Sequence, residues 1–210
     1  MEKILIGVLV VVAVISIISL ILTLKFKRTR VHNVIQENTL ELTGDVSHKY
    51  PSLLLPVSKE GTKYTLAFSI YSKNLAENSS WGKDFRIPKG IISHYGSPNV
   101  YYLTDKNTLR ISIAYRDDLS NKTFYNFDLE NFKYQRWEHV VIVVDNRFVV
   151  VYLNGVIEKS VKLPNVPWVS QNSFFIGQKK NNFNGKIRNV EYINDALNFN
   201  EVEKLYKSNN

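Results

Sequence analysis

Arg136-Trp137-Glu138-His139-Val140-Val141-Ile142-Val143-Val144 runs through Asp145-Asn146 into Phe148-Val149-Val150-Val151-Tyr152-Leu153, which closes on Asn154-Gly155. β-Branched residues at this density favour extended backbone, because a branched Cβ packs well on a pleated surface and crowds a helical turn. Neither run alternates cleanly, so both read as strands buried on both faces. Asp145-Asn146 reads as a two-residue hairpin turn. Asn154-Gly155 is a strong second one, since such turns need residues that tolerate positive φ.

Working outward from this hairpin, Tyr64–Tyr71 alternates, with Tyr64, Leu66, Phe68 and Ile70 on one face. Leu109–Tyr115 alternates too, with Leu109, Ile111, Ile113 and Tyr115 inward and Arg110, Ser112, Ala114 and Arg116 outward. Further strands are expected at 90–95, 100–104, 123–128, 156–163, 173–177 and 186–193, with an early one from Thr39 to Leu42. Helices between the strands are missing, which disfavours a parallel sheet. One helix is expected, over 199–207. Asn198 and Glu201 form a capping-box pattern, and Phe199, Val202, Leu205 and Tyr206 give it one apolar face.

Ile4–Leu24 is a different kind of segment: 21 residues without a charge. As a helix it is roughly 31 Å long, the thickness of a bilayer's hydrocarbon core. A cleaved signal peptide is the competing reading, but its apolar region should be shorter and end in small residues, whereas this one ends in Lys25-Phe26-Lys27-Arg28. The expected organisation is a tail at 1–3, a transmembrane helix at 4–24, a basic flank and spacer at 25–38, and a β-sandwich at 39–210 that includes the terminal helix.

Lys25, Lys27, Arg28 and Arg30 flank the span on its C-terminal side, and the more positive flank tends to stay cytosolic. The sandwich is therefore expected on the cytosolic side of the membrane. The absence of cysteine agrees, and it excludes disulfides, thiolate metal sites and a cysteine nucleophile. The sequons at Asn78 and Asn121 occur at about chance frequency and argue for neither side. The net charge is +8, but residues 31–210 hold only 22 basic against 18 acidic residues, with no basic run interleaved by aromatics. Nucleic acid is not an expected partner.

The C-terminal landmarks fall in a familiar order. Arg136-Trp137-Glu138-His139 opens a strand, Leu153-Asn154-Gly155 closes a hairpin, Phe175-Ile176-Gly177 and Phe183-Asn184-Gly185 follow, and Glu201 to Tyr206 lies in the terminal helix. This succession resembles the concanavalin A-like (laminin G-like) jelly-roll superfamily. The resemblance implies an all-β, antiparallel jelly-roll sandwich. Its landmark residues, Trp137, Asn154, Gly155, Gly177 and Gly185, read as structural: Trp137 as core filler, the others as turns, bends or close backbone approaches.

The resemblance also implies three jobs: glycan hydrolysis, carbohydrate or protein binding, or a structural role. Glucanases of the superfamily carry a Glu-x-Asp-x-(x)-Glu strand whose paired carboxylates do the chemistry. That strand is missing, since Glu191 stands alone and Asp128-Leu129-Glu130 has no third acid nearby. His32, His48, His94 and His139 are scattered, without the spacing of a zinc site. No enzymatic activity and no obligatory cofactor are expected. Calcium is the one candidate ion, at the oxygen-rich pair Asp117-Asp118, where the plainer reading is a solvated turn.

Candidate ligand-binding residues are aromatic. Trp81 and Phe85 sit in a long polar loop, where they either present a contact surface or fold back to cap the sandwich. Tyr95, Tyr101 and Tyr102 cluster about the Ser97-Pro98 turn, with half-buried packing as the alternative. Two functions remain. One is a membrane-anchored scaffold or attachment module with a lipid bilayer and a protein as partners. The abundance of Asn, Lys, Ile, Tyr and Phe, all with AT-rich codons, suggests for it a large DNA virus, bridging internal membrane and capsid. The other is a surface lectin or adhesin with a glycan partner.

Overall fold

A computed structural model describes residues 14–16, 30–43, 46–52, 62–73, 87–130, 132–180 and 183–209. The chain divides into two units, 1–30 and 31–210. In the first, residues 14–16 are helical. The rest of the expected transmembrane helix lies outside the described residues, as do Lys25, Lys27 and Arg28. Among the described residues no helix is long and apolar enough to cross a membrane.

The second unit has thirteen strands and one helix among its described residues. In chain order they are β1 (His32–Gln36), β2 (Leu40–Leu42), β3 (His48–Tyr50), β4 (Lys63–Ser72), β5 (Lys89–Ser93), β6 (Asn99–Leu103) and β7 (Thr108–Arg116). There follow β8 (Lys122–Leu129), β9 (Trp137–Asp145), β10 (Phe148–Leu153), β11 (Val156–Lys162), β12 (Phe174–Ile176), β13 (Gly185–Ile193) and α1 (Phe199–Ser208). One sheet has the order β1-β13-β4-β9-β10-β11, with β2 also on β13. The other has the order β3-β12-β5-β6-β7-β8. The pairings are antiparallel, so the expected sandwich of two antiparallel sheets is what forms.

Alternation fills the space between the sheets. Leu66, Phe68 and Ile70 of β4 and Val140, Ile142 and Val144 of β9 face Val100 and Tyr102 of β6 and Leu109, Ile111 and Ile113 of β7. Each such side chain contributes roughly 1.5–3 kcal/mol by leaving water. The other face of the first sheet is covered as well. Ala67, Val141, Val143 and Tyr152 pack with Ile193, Leu197 and Val202 in a second, smaller core beneath α1. That second core is why β9 and β10 are apolar on both faces. α1 starts as its sequence predicts: the Glu201 N–H donates to Asn198 Oδ1 (3.1 Å) and the Asn198 N–H to Glu201 Oε2 (2.8 Å).

Three expectations need correction. The spacer does not extend to residue 38, because His32–Gln36 pairs with β13 as an edge strand, with the His32 ring against the Glu191 carboxylate. Its polar, two-apolar pattern gave no strand signal. The first hairpin turn is Asn146-Arg147, since Asp145 pairs with Phe148 and Asn146 takes the positive φ of 52°. Trp137 is not core filler. It lies half-buried on the outer face, 5.7 Å from the Tyr71 ring and with the Arg188 guanidinium 4.4 Å from its centroid.

The landmark that fills the core at this point is the next residue. Glu138 is 0% exposed. Its carboxylate accepts from Arg136 Nε and from Asn154 Nδ2. Asn154 also accepts, through Oδ1, from the His139 N–H (2.9 Å). The sequence separation between Arg136-Trp137-Glu138-His139 and Asn154-Gly155 is thus the span of one hairpin that a single asparagine ties at its base. Asn154 and Gly155 have φ of 52° and 80°, as a two-residue turn requires, and a Cβ on Gly155 would press on the Tyr206 ring of α1. Gly177 also takes positive φ, and Gly185 lies against the Phe183 ring.

Candidate functional site

The outer face of the six-stranded sheet is built in rows by strand register. Gly90, Tyr101, Arg110 and Asp128 stand side by side in one row, and Phe175, Ser93, Asn99, Ser112 and Asn126 in the next. Tyr101 and Tyr102 are neighbours on a strand, so they point to opposite faces. Tyr101 lies on the outer surface. Tyr102 is 0% exposed, donates from its hydroxyl to Asn107 Oδ1 (2.7 Å) and packs on Phe132 and Phe183. Tyr102 is therefore a core residue and not a ligand contact.

Around Tyr101 is a hollow of about 420 Å³, lined by Gly90, Ser93, Tyr101, Phe175, Gln178 and Lys179 among others. Gly90 makes it possible, because a Cβ there would run into the Gln178 side chain. Tyr95 joins from the side, its ring 6.4 Å from that of Phe175. It is presented by a tight loop in which Asn99 Oδ1 accepts from the N–H groups of His94 (3.0 Å) and Gly96 (2.9 Å), leaving Tyr95 about half exposed at a positive φ. Two of the aromatics expected from sequence, Tyr95 and Tyr101, thus each neighbour Phe175, Tyr95 through its ring and Tyr101 across the lining of the hollow. Phe175 was not expected. Its strand has three residues, too few to show an alternation. Trp81 and Phe85 lie outside the described residues.

The groups around the hollow are suited to holding a ligand. Burial pushes the Tyr101 phenol above its usual value, against a smaller opposing contact with Asn99, so it stays neutral and can donate. Asp128, the carboxylate in the same row, is engaged by both Nε (2.7 Å) and Nη2 (2.8 Å) of Arg110. That hydrogen-bonded ion pair lowers the Asp128 carboxyl below its usual value, which makes it a poor proton donor. The described lining of the hollow itself includes no carboxylate.

The pair Asp117-Asp118 lies elsewhere, in the loop between β7 and β8. It borders a cleft of about 740 Å³ whose other walls include Thr62, Arg116, Asn165 and Trp168. Asp117 does not present an open ligand set. Its Oδ1 accepts from the N–H groups of Leu119 (3.0 Å) and Asn121 (2.7 Å), which fixes the turn. Among the described residues, no group of three or more His, Asp or Glu could hold a metal ion. Asp117 thus serves the turn, which is the plainer of the two readings of this pair.

The family model described as the concanavalin A-like lectin/glucanases superfamily matches residues 48–203. The chain belongs to this superfamily. Solved structures of similar fold include the binding domain of botulinum neurotoxin serotype D (TM-score 0.59, 14% identity) and the receptor binding domain of botulinum neurotoxin type G (0.52, 17%). A third is the binding domain of botulinum neurotoxin DC in complex with rat synaptotagmin II (0.57, 16%). These matches cover 85%, 85% and 86% of this chain, and 46% of the toxin domain in each case. At such identities the likeness concerns the fold, and the chain spans less than half of each toxin domain. No curated protein matches the chain.

Proposed function

We propose that this chain is a non-enzymatic, lectin-type binding module tethered to a membrane by residues 4–24, with a carbohydrate as the ligand of its six-stranded sheet. The observation that carries this reading is the Tyr95–Phe175–Tyr101 surface beside a hollow with amide, hydroxyl and ammonium groups in its wall. Aromatic faces cover the apolar C–H patches of a sugar ring, and the polar groups answer its hydroxyls. The superfamily takes its name from lectins and glucanases, and Asp128, locked by Arg110, speaks for the first of these. Neither the fold nor the family bears on a virion or a capsid.

Full-length protein in detergent should bind a subset of glycans on an array. Tyr101→Ala and Phe175→Ala should each weaken the best of those interactions by about tenfold. Tyr102→Phe, which removes only a hydroxyl from the core, should leave it intact. Binding that survives both alanine variants would remove this surface from consideration.

The carbohydrate reading also sets the topology. It places the sandwich outside the cytosol, against the count of flanking cations. In sealed microsomes residues 31–210 should then resist added protease until detergent is present. Digestion of intact microsomes would return the domain to the cytosolic side.

A further inference from the structure

We infer that one end of the sandwich is a lipid-facing pole that stands on the bilayer holding the N-terminal segment. This rests on the tethered reading above. The end is defined by strand register. β1 begins there at His32, paired with Ile193 at the end of β13. Lys63 opens β4 opposite Asp145, and Phe148 opens β10 opposite Lys162, the last residue of β11. On the other sheet Arg116 and Lys122 close the same end, since Arg116, Trp168 and Thr62 line one cleft. Only residues 25–30 separate Val31 from the apolar run ending at Leu24. Fully extended they reach no more than ~25 Å. The chain therefore enters the domain at this end, a short connector away from the apolar run.

Its chemistry fits an interface. Leu119 projects from the β7–β8 loop at 82% exposure, and Phe148, Val166 and Phe124 are also exposed. The aromatic rings here carry cations. Arg116 lies 4.3 Å and Lys122 5.7 Å from the Trp168 ring centroid, Lys122 is 5.4 Å from Phe124, and Lys162 is 5.6 Å from Phe148. Rings at headgroup depth with ammonium and guanidinium groups beside them match the layered polarity of a bilayer surface, where phosphates lie just outside the acyl chains. Of the described acids at this end, Asp117 is engaged by loop N–H groups, Asp145 is paired with Lys63 at 3.3 Å, Glu191 lies against His32 and Asp195 is buried, while Asp118 faces solvent. The occupant is the bilayer surface itself. Strand β7 would then run toward the membrane, with Tyr101 opposite Arg110 set back six residues from Arg116, while Tyr95, whose carbonyl accepts from Lys122 Nζ, borders the pole.

The chain has no cysteine, so single labels are clean. Leu119→Cys and Lys106→Cys place a polarity-sensitive dye at the two ends of β7, whose nine residues separate them by ~30 Å. Each full-length variant is reconstituted into phosphatidylcholine–phosphatidylglycerol vesicles containing nitroxide-labelled lipid. The dye at 119 should shift to the blue and be quenched several-fold more than the dye at 106. Protein that floats with the vesicles while both dyes report water overturns the pole and leaves the tether standing. Protein that does not float overturns the tether, and the pole with it.

Discussion

Asn154→Ala should lower the unfolding free energy by about 3 kcal/mol, a large loss for a single polar side chain near the surface. Three contributions add. Glu138 loses a donor to a carboxylate that has no access to water, and a buried charged group left short of partners is costly. The His139 N–H, at the mouth of the same hairpin, loses its acceptor. Alanine must also take up a φ of 52°, which costs an L-residue without a polar side chain about 1 kcal/mol. Asn154→Gly separates these causes. It loses both hydrogen bonds but not the backbone freedom, so it should be milder than alanine by about 1 kcal/mol. Urea unfolding followed by tryptophan fluorescence measures both. Equal losses would remove the backbone contribution. Losses below about 1 kcal/mol in both variants would mean that the hairpin base is not tied in this way.

This tie explains why the fold was legible in the sequence. The valine-rich runs of β9 and β10 need only a pleated geometry and a second layer on each face, and Asn154-Gly155 fixes their register. What was not legible depends on contacts between distant segments. Tyr101-Tyr102 reads as one aromatic pair until the partner strand decides which of the two faces inward. Trp168 sits in a segment without periodicity. Its backbone is placed by Ala114, whose carbonyl accepts its N–H (2.8 Å), and by Ser97, whose hydroxyl donates to its carbonyl. Phe175 becomes a surface residue because β12 inserts between β3 and β5. In each case the side chain's role is set by a neighbour between seven and 126 residues away in the sequence.

His139 shows the same limit, since its spacing from other histidines carried no signal of its own. It is 2% exposed beneath the Tyr206 ring of α1, 5.6 Å between centroids, and neither ring nitrogen has a hydrogen-bond partner among the described residues. Burial pulls its pKa down to about 4. The unfolded chain binds that proton near 6.5, the ordinary value for histidine. Between these two values the unfolded state carries more protons than the native one, so stability falls as the pH is lowered. The loss begins below about 6.5, reaches about 2 kcal/mol at pH 5 and levels off near 3 kcal/mol below pH 4. His94, also pulled down mainly by burial, pushes in the same direction. His139→Phe keeps a ring against Tyr206 and removes both stranded nitrogens. Its denaturation midpoint should therefore vary less between pH 7 and pH 5, and at pH 5 it should exceed that of the parent chain. If the two chains lose stability in parallel over this range, His139 is not the group that titrates, and α1 is not held down by a neutral ring.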